Sequence, residues 1–278
     1  MPINVADFEI FVESAGPTRF FSHTRLTMFA VLHFLVPLAI GAGAGLMGGV
    51  FGVSGGAVSI SAMALLGFKQ QLAEGTSMVM QLPNLAIGAY EYTRRGSVKV
   101  AAALTMSLVA LPFTFGGAFV ATHIPSHNLR IAFSCFFYCI GSFQLWNALR
   151  RQKQLANLPL DWPYLSVLGA VGGIATGLFG IGGPALAAAS LVVFFGLPQT
   201  TAQGMSVYLS LPSTVLTVVQ YSHTHDVDWP AGIVLAIGGA LLINVGVTIA
   251  HRLPEKTLRI GFACFMYSMA TLLLLIGH

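Results

Sequence analysis

The fold of this sequence is decided by GLMGGVFGVSG at Gly45–Gly55 and by its near-copy GIATGLFGIGG at Gly173–Gly183. Each stretch interrupts a long apolar run. Glycine has no Cβ and readily adopts left-handed backbone conformations, so a cluster of glycines is suited to ending a helix. The two stretches therefore predict a broken helix at the same place in each half of the chain.

Further matches in the same order indicate an internal repeat. Gly67–Asn84 matches Gly196–Ser213, and Ile124–Tyr138 matches Leu253–Tyr267. The predicted organisation is an N-terminal tail (1–27), a first repeat (28–150), a linker (151–162) and a second repeat (163–278). The tail is compatible with a short helix lying on the membrane surface or with a frayed end.

The composition places both repeats in a membrane. Lys, Arg, Asp and Glu make up 8% of the 278 residues, 55% are apolar, and the mean hydropathy is +0.79. A soluble domain carries about 25% charged residues, and disorder requires low hydrophobicity, so both classes are excluded. Backbone groups left unpaired in hydrocarbon are costly, which favours helices, and the sustained alternation of a barrel is missing from the sequence.

Each repeat contains five predicted helical pieces, so the predicted fold class is an all-α polytopic membrane protein. The pieces are 28–51, 56–66, 73–92, 99–121 and 128–149, and then 163–180, 184–195, 202–221, 230–250 and 257–276. The second piece of each repeat is too short to cross about 30 Å of hydrocarbon at about 1.5 Å per residue. Each repeat is therefore predicted to open with a helical hairpin broken at the glycines.

The charges of equivalent loops predict that the two repeats are inverted. One loop holds Arg94, Arg95 and Lys99, whereas its counterpart holds Asp226 and Asp228 and neither Lys nor Arg. Because basic loops stay in the cytoplasm, the two loops should lie on opposite sides of the membrane. The basic residues of the N-terminal tail oppose this orientation.

The two glycine breaks form the first part of the predicted binding site. A helix that restarts inside the membrane presents unpaired N–H groups and the positive end of its dipole, which suits an anion. Broken helices at matched places in two repeats are typical of the midplane site of a transporter. Close helix packing is the alternative explanation for such glycines. The predicted anion-binding residues at the breaks are Ser54, Gly55, Gly56, Gly182 and Gly183.

Polar residues on the third piece of each repeat form the second part. They are Thr76, Ser77, Gln81 and Asn84 in the first repeat, and Ser206, Ser210 and Ser213 in the second. Positions i, i+4 and i+7 share one face of a helix, where hydroxyl and amide donors could bind sulfonate or carboxylate oxygens. The alternative is that these groups hold helices together. Glu91 is the candidate if protons are coupled, whereas Glu74 and His33 are expected to have structural roles.

Catalysis, cofactors and metals are not predicted. Cys135, Cys139 and Cys264 stand in apolar helical runs without metal-ligand spacing, and they are expected to be small buried residues. The sequence lacks the Gly-x-x-x-x-Gly-Lys-[Ser/Thr] loop, which argues against an ATP-driven pump and a bound nucleotide. It offers no Ser-His-Asp arrangement, so we predict that the protein is not an enzyme. Its few basic residues do not indicate nucleic-acid binding.

These motifs resemble the sulfite exporter TauE/SafE family of membrane permeases. The resemblance covers about residues 35–276. Beside the first glycine break, it is carried by Gly75-Thr76-Ser77, by Tyr92 with Arg94-Arg95-Gly96 and Val98, by Gly177–Pro184 (GLFGIGGP) and by Gly204-Met205-Ser206. It implies a multi-pass permease that exports small anions, typically sulfite, sulfoacetate or related sulfonates. Ser54 and Met205 depart from the family pattern, which has glycine and threonine there.

The sequence therefore predicts a secondary transporter or facilitator of the cell membrane that exports a small anion through a site between the repeats. The predicted partners are that anion, of the sulfite or sulfonate class, and the lipid bilayer. Two alternatives remain open: a permease for another small anion such as thiosulfate or a carboxylate, and a non-transporting membrane sensor or assembly subunit. The sequence does not predict the oligomeric state.

Overall fold

The computed structural model describes residues 34–52, 55–149, 160–180 and 182–275, and these residues form helices without any β-strand. In chain order the helices are α1 (Val36–Phe51), α2 (Gly56–Leu65), α3 (Gln70–Arg94), α4 (Val100–His123), α5 (Ser126–Leu149), α6 (Trp162–Phe179), α7 (Gly182–Phe195), α8 (Gln199–His223), α9 (Trp229–Arg252) and α10 (Glu255–Leu275). The predicted all-α polytopic class is confirmed. The N-terminal tail and residues 151–159 of the predicted linker lie outside the described residues.

Five helices are long and apolar enough to cross a membrane, namely α4, α5, α6, α9 and α10. Helices α1, α2 and α7 are apolar but shorter. Helices α3 and α8 have 25 residues each, which corresponds to about 37 Å at about 1.5 Å per residue. They are long enough to cross a membrane, but their polar side chains make them less apolar than the five helices named above.

The polar faces of α3 and α8 are turned towards protein. Helix α3 packs against α9, α8 and α2, and α8 packs against α4, α3 and α7. Most polar side chains from Gln70 to Asn84 and from Gln199 to Thr217 are buried. Buried polar groups need hydrogen-bond partners, so these side chains must bond to their own helix, to a neighbouring helix or to a ligand.

Helices α3 and α8 run antiparallel where they touch. At one end the Tyr221 hydroxyl lies 2.8 Å from the Glu74 carboxylate. At the other end the Tyr92 hydroxyl lies 3.2 Å from the Gln203 side-chain oxygen. The start of α3 therefore lies beside the end of α8, and the end of α3 lies beside the start of α8.

Helices α5 and α10 also run antiparallel. The Tyr138 hydroxyl lies 2.7 Å from the Thr271 hydroxyl, and the Ser142 hydroxyl lies 2.6 Å from the Tyr267 hydroxyl. Since α3 corresponds to α8 and α5 to α10 in the sequence repeat, the equivalent helices point in opposite directions. An inverted repeat requires equivalent helices to run in opposite directions, as these two pairs do. That the complete repeats are inverted stays a prediction.

Close glycine contacts join each half to the other. A Cβ added at Gly41 or Gly45 of α1 would lie 2.2 or 2.1 Å from the carbonyl oxygen of Leu235 or Gly239 in α9. Helix α6 packs on α4 in the same way, since a Cβ at Gly173 would lie 2.4 Å from a backbone oxygen of α4. We call these two contacts, α1 with α9 and α6 with α4, the glycine seams.

The first break turns the chain back on itself. Helix α1 ends at Phe51, where Gly52 has φ 69°, and α2 begins at Gly56 after Gly55, which has φ 74°. A Cβ at Gly55 would lie only 2.0 Å from the carbonyl oxygen of Ala44. Helix α2 therefore starts beside the second half of α1 and, with 10 residues, is about 15 Å long, roughly half the hydrocarbon thickness.

The expectation that the three cysteines are buried is wrong. Cys135, Cys139 and Cys264 are all exposed on α5 and α10. An apolar helical run in a membrane protein contacts lipid as readily as protein, because lipid tails are as apolar as a protein core. Hydrophobic surroundings in the sequence therefore do not indicate burial here.

Candidate functional site

The start of α2 lies at the same level as Asn84, near the middle of α3. Gly55 lies against Ala44 of α1, and the next residue, Gly45, lies against Gly239 of α9. A Cβ at Gly239 would in turn stand 2.4 Å from the side-chain nitrogen of Asn84. No side chain caps the N-terminus of α2 in the part of the chain that the structure describes.

Asn84 is the most distinctive polar residue at this level. It is fully buried, and neither its amide nitrogen nor its amide oxygen has a hydrogen-bond partner among the described residues. Burying an unpaired amide costs roughly 2–7 kcal/mol, depending on the reference state. Such groups are rare in folded proteins and point to a ligand or water. Its –NH₂ group offers two donors to an anion.

The second break repeats this arrangement. A Cβ at Gly183 would lie 1.8 Å from the hydroxyl oxygen of Thr176, so α7 also starts beside the preceding helix. The next residue of that helix, Gly177, packs against Thr114 of α4, and the Thr114 hydroxyl donates to the Ser213 hydroxyl at 3.1 Å. Ser213 is the sequence counterpart of Asn84. Each restarting helix thus begins at the level of one of these two matched polar residues.

The remaining predicted hydroxyls of α8 are engaged with their own helix. The Ser206 hydroxyl donates to the Gln203 carbonyl at 2.8 Å, and the Ser210 hydroxyl donates to the Ser206 carbonyl at 2.9 Å. Both residues are buried. Their single hydroxyl protons are therefore used within α8, which leaves their oxygens as acceptors. Gln81 is fully buried on the same face of α3 as Asn84.

Thr76 and Ser77 lie nearer the start of α3 than the breaks do. The backbone N–H of Asp228 donates to the Thr76 hydroxyl at 2.9 Å, and the Ser77 hydroxyl lies 4.0 Å from the sulfur of Met63 in α2. Thr76 therefore holds the start of α9 against α3. Of the other predicted binding residues, Ser54 lies outside the described residues.

Glu91, the predicted proton-coupling candidate, lies at the end of α3. Its carboxylate is 3.6 Å from the Arg95 guanidinium, and the side chains are 15% and 30% exposed. An ion pair in partly exposed surroundings contributes little to folding. The structure places Glu91 in this pair, one turn from the basic loop.

Two buried hydroxyls and two tyrosines belong to the same region but were not predicted as site residues, although Tyr92 stands in one of the family motifs. Ser61 of α2 and Thr214 of α8 are fully buried, and their hydroxyls have no partner among the described residues. Tyr92 and Tyr221 occupy the same place in the two repeats and are almost fully buried. Their identity in the repeat alignment was a signal that could have found them.

The two tyrosines close the opposite ends of the α3–α8 contact. The Tyr221 hydroxyl donates to the Glu74 carboxylate at 2.8 Å. The Tyr92 hydroxyl donates to the Gly49 carbonyl at 3.0 Å and lies 3.2 Å from the Gln203 side-chain oxygen. We call the Tyr221–Glu74 contact the outer latch and the Tyr92–Gln203 contact the inner latch, following the predicted orientation of the loops.

A cavity of about 440 Å³ lies elsewhere, between the starts of α4 and α6. Its lining residues are Lys99, Val100, Ala101, Ala102, Thr105, Leu160, Trp162 and Leu165. None of them belongs to the glycine breaks or to the polar faces of α3 and α8, so we do not assign the cavity to the site. Within the described ranges, no three His, Cys, Asp or Glu residues are grouped as metal ligands.

Comparison with known proteins gives consistent matches over almost the whole chain. A family model described as "Sulfite exporter TauE/SafE" matches residues 37–273. The chain is 23% identical over 251 residues to the "Probable membrane transporter protein YunE" of Bacillus subtilis (strain 168), with 82% of this chain and 92% of the relative covered. It is 26% identical over 269 residues to the "Probable membrane transporter protein MJ0441" of Methanocaldococcus jannaschii, with 87% and 96% covered. A "Probable membrane transporter protein" of Xylella fastidiosa (strain Temecula1) is 27% identical over 227 residues, with 79% and 86% covered.

Proposed function

The chain belongs to the sulfite exporter TauE/SafE family, and from this premise we propose that it exports a small anion such as sulfite or an organosulfonate. The family resemblance and the predicted multi-pass membrane location are confirmed. The related proteins are named as probable membrane transporters, which supports transport and leaves the transported anion to be determined.

The observation that carries the proposal is the unpaired, fully buried amide of Asn84 at the level where α2 begins. A helix start offers backbone N–H donors and a positive dipole end. Asn84 adds two side-chain donors without adding a charge. An anion bound there would give the amide the partners it lacks. None of the described Lys and Arg residues is buried, so no buried cation of this part of the chain would hold the anion too tightly to leave.

Transport requires that this site open alternately to the two sides. Export of an anion from a cell that is negative inside gains about 2.3 kcal/mol per charge per 100 mV. No chemical step is needed, because the membrane potential itself drives the anion outward. The two latches lie at opposite ends of the α3–α8 contact, so separating one while the other stays closed would expose the site to one side at a time.

Two experiments on the purified protein test the proposal. The first is transport of labelled sulfite, sulfoacetate, thiosulfate and a simple carboxylate into proteoliposomes under membrane potentials of both signs. We expect uptake to be faster when the potential drives anions inward. The panel separates the sulfite or sulfonate class from the alternative anions, and uptake that ignores the sign of the potential would contradict electrogenic export.

The second experiment is anion-dependent thermal stabilisation of wild type, Asn84→Leu and Asn244→Leu. Asn244 is exposed on α9, so it provides the same substitution away from the site. An anion at 100 times its Kd should stabilise the wild type by about 2.7 kcal/mol, and Asn244→Leu should respond equally. Asn84→Leu should lose the response. A sensor that binds an anion would show the shift without transport, so the pair of assays distinguishes these functions.

A further inference from the structure

The two latches are built alike but differ in one functional group. Glu74 and Gln203 occupy equivalent positions in the two repeats, as do Tyr221 and Tyr92, so each tyrosine meets the residue from the opposite repeat. The outer latch therefore contains a carboxyl group, whereas the inner latch contains an amide of nearly the same shape. Only the outer latch can change its charge by binding a proton.

The surroundings of Glu74 serve both protonation states of its carboxyl group. Tyr221 donates to one carboxylate oxygen at 2.8 Å, and the Gln70 amide nitrogen donates to the other at 2.8 Å. The amide oxygen of Gln70 is buried and has no partner within the described ranges. A 180° rotation of that amide would present this oxygen to a protonated carboxyl as an acceptor. Gln70 can thus bond to the carboxylate and to the carboxylic acid.

The carboxyl group of Glu74 is fully buried, and no Lys or Arg of the described residues forms an ion pair with it. A buried carboxylate without a cation is strongly disfavoured. The hydrogen bonds of Gln70 and Tyr221 offset part of this penalty, and a bound proton would remove it.

Other titratable groups near Glu74 come from some of the elements around the start of α3. Lys69 directly precedes α3, and His223 and His225 lie at the end of α8 and in the loop that follows it. Tyr221 comes from α8, Asp226 acts from the loop between α8 and α9, and Asp228 is turned to cap α9, where it accepts from the Ala231 N–H at 3.1 Å. Helix α2 carries no titratable side chain. Helix α5 carries His127 and Arg130 in its first turns, and α4 carries His123 at its end. Asp226 is the acidic group of the α8–α9 loop beside the start of α3.

The outer latch lies at the end of α3 opposite to the basic loop. Arg94 ends α3 and is followed by Arg95 and Lys99, whereas Asp226 and Asp228 lie beside the start of the helix. If basic loops are cytoplasmic, Glu74 lies towards the outside. A proton reaching it would come from the external solution.

We propose that Glu74 is the proton-binding site of this transporter, and that a proton bound there releases the outer latch. The ionised carboxylate holds the Tyr221 hydroxyl in a charge-assisted hydrogen bond and keeps the outer end closed. The neutral acid is a weaker acceptor, so the outer end opens when Glu74 is protonated. The proton binds a carboxylate oxygen from the outer solution and leaves it by the same route. This proposal rests on the proposed anion transport.

Equilibrium exchange of labelled sulfoacetate in proteoliposomes, at equal pH on both sides, tests the proposal. The sulfonic acid of sulfoacetate is strong and its carboxylic acid is ionised well below pH 7, so the anion carries no proton of its own near neutral pH. Equal pH on both sides removes any effect of mixed protein orientation. Wild-type exchange should fall by about tenfold per pH unit on the alkaline side. Glu74→Gln, which copies the residue of the inner latch, should exchange at a rate independent of pH.

Glu91→Gln makes the same change in the same helix and serves as the comparison. If Glu91→Gln removes the pH dependence, or if Glu74→Gln keeps the wild-type profile, the proton site at Glu74 is refuted while anion transport stands. Tyr221→Phe removes the latch donor and retains the carboxyl group. It should exchange faster than wild type at alkaline pH, and an unchanged alkaline rate would contradict the latch.

Infrared titration of the purified protein supplies a readout that does not need transport. The carbonyl stretch of a buried, protonated carboxyl group should grow as pH falls in wild type and in Glu91→Gln. The band should be missing in Glu74→Gln. If wild type shows no such band, or if Glu74→Gln retains it, the proposal is wrong whichever anion is carried. Failure of every anion to move, with the band present and assigned, would instead refute the proposed function alone.

Discussion

Replacing Gly55 by alanine tests the reversal of the chain at the first break. Gly55 has φ 74°, and a Cβ there would lie 2.0 Å from the carbonyl oxygen of Ala44. The left-handed conformation costs an alanine about 1–2 kcal/mol. The contact adds about 1–3 kcal/mol, as for other overpacked sites, because the atom that must move is backbone. Gly55→Ala should therefore destabilise the protein by about 2–5 kcal/mol.

Gly67→Ala is the matched control for this substitution. Gly67 also has a positive φ of 86°, but a Cβ there would have nothing within 4 Å. Its expected loss is the conformational part alone, about 1–2 kcal/mol. The entropy lost by the unfolded chain when glycine becomes alanine is the same in both variants and cancels. The difference between the variants isolates the close approach of Gly55 to α1.

Thermal unfolding in detergent, followed by tryptophan fluorescence, measures this difference. About 1–3 kcal/mol of extra destabilisation should lower the Tm of Gly55→Ala below that of Gly67→Ala by about 2–12 °C. Unfolding free energies that agree within about 0.5 kcal/mol would show that Gly55 does not lie against Ala44. The hairpin, and with it the position of the start of α2 beside the middle of α1, would then be incorrect.

Three further predictions concern the site, one glycine seam and the inner latch. Asn84→Asp should abolish the thermal stabilisation by sulfoacetate, because a carboxylate would repel the anion; a retained shift would remove Asn84 from the site. Gly45→Ala should destabilise the protein by about 1–3 kcal/mol. Its control is Gly43→Ala, where a Cβ has nothing within 4 Å and stability should change by less than about 1 kcal/mol. Equal losses of the two variants in denaturant unfolding would contradict the seam. Tyr92→Phe should cost about 1–3 kcal/mol by leaving the buried Gly49 carbonyl without its donor, and a Tm equal to that of wild type would argue against the Tyr92–Gly49 hydrogen bond beside the inner latch.

The helix breaks could be read from the sequence because their cause is local. The glycines at Gly52 and Gly55 have positive φ values, and this property of glycine does not depend on the rest of the fold. The shared polar face of α3 was equally accessible, since helical spacing alone puts Gln81 and Asn84 on one side.

What each polar group does on that face could not be predicted. Ser206 and Ser210 use their hydroxyl protons within α8, while Asn84 has no partner among the described residues. Whether each polar side chain finds a hydrogen-bond partner depends on the backbone of the neighbouring helix that lies opposite it, and hence on tertiary packing. A hydroxyl can bond back to its own helix, whereas a carboxamide on a tightly packed glycine surface depends on its neighbours.

The latches depended on information that the sequence pattern did not contain. Glu74 and Tyr221 are separated by 147 positions, and they meet because α3 and α8 pack antiparallel in one register. The sequence repeat showed that Glu74 corresponds to Gln203, but not that each would face the tyrosine of the other repeat. The sequence made Glu91 the candidate if protons are coupled and gave Glu74 a structural role, because a carboxylate at the start of a helix complements the helix dipole. The full burial of Glu74 and its contact with Tyr221 depend on tertiary packing.

The glycine seams have a consequence for how the protein is made. Helix α1 ends at Phe51, and its seam partner α9 begins at Trp229, so at 5–20 residues per second the ribosome needs roughly 10–40 s to supply the second helix after the first. During biosynthesis the glycine face of α1 therefore remains unpacked until α9 has been made. Neither repeat contains both helices of a glycine seam, so a repeat translated alone could not form either seam. Two separately expressed repeats should therefore assemble only when both are inserted into the same bilayer, and a one-repeat ancestor would have needed a second, oppositely inserted copy of itself.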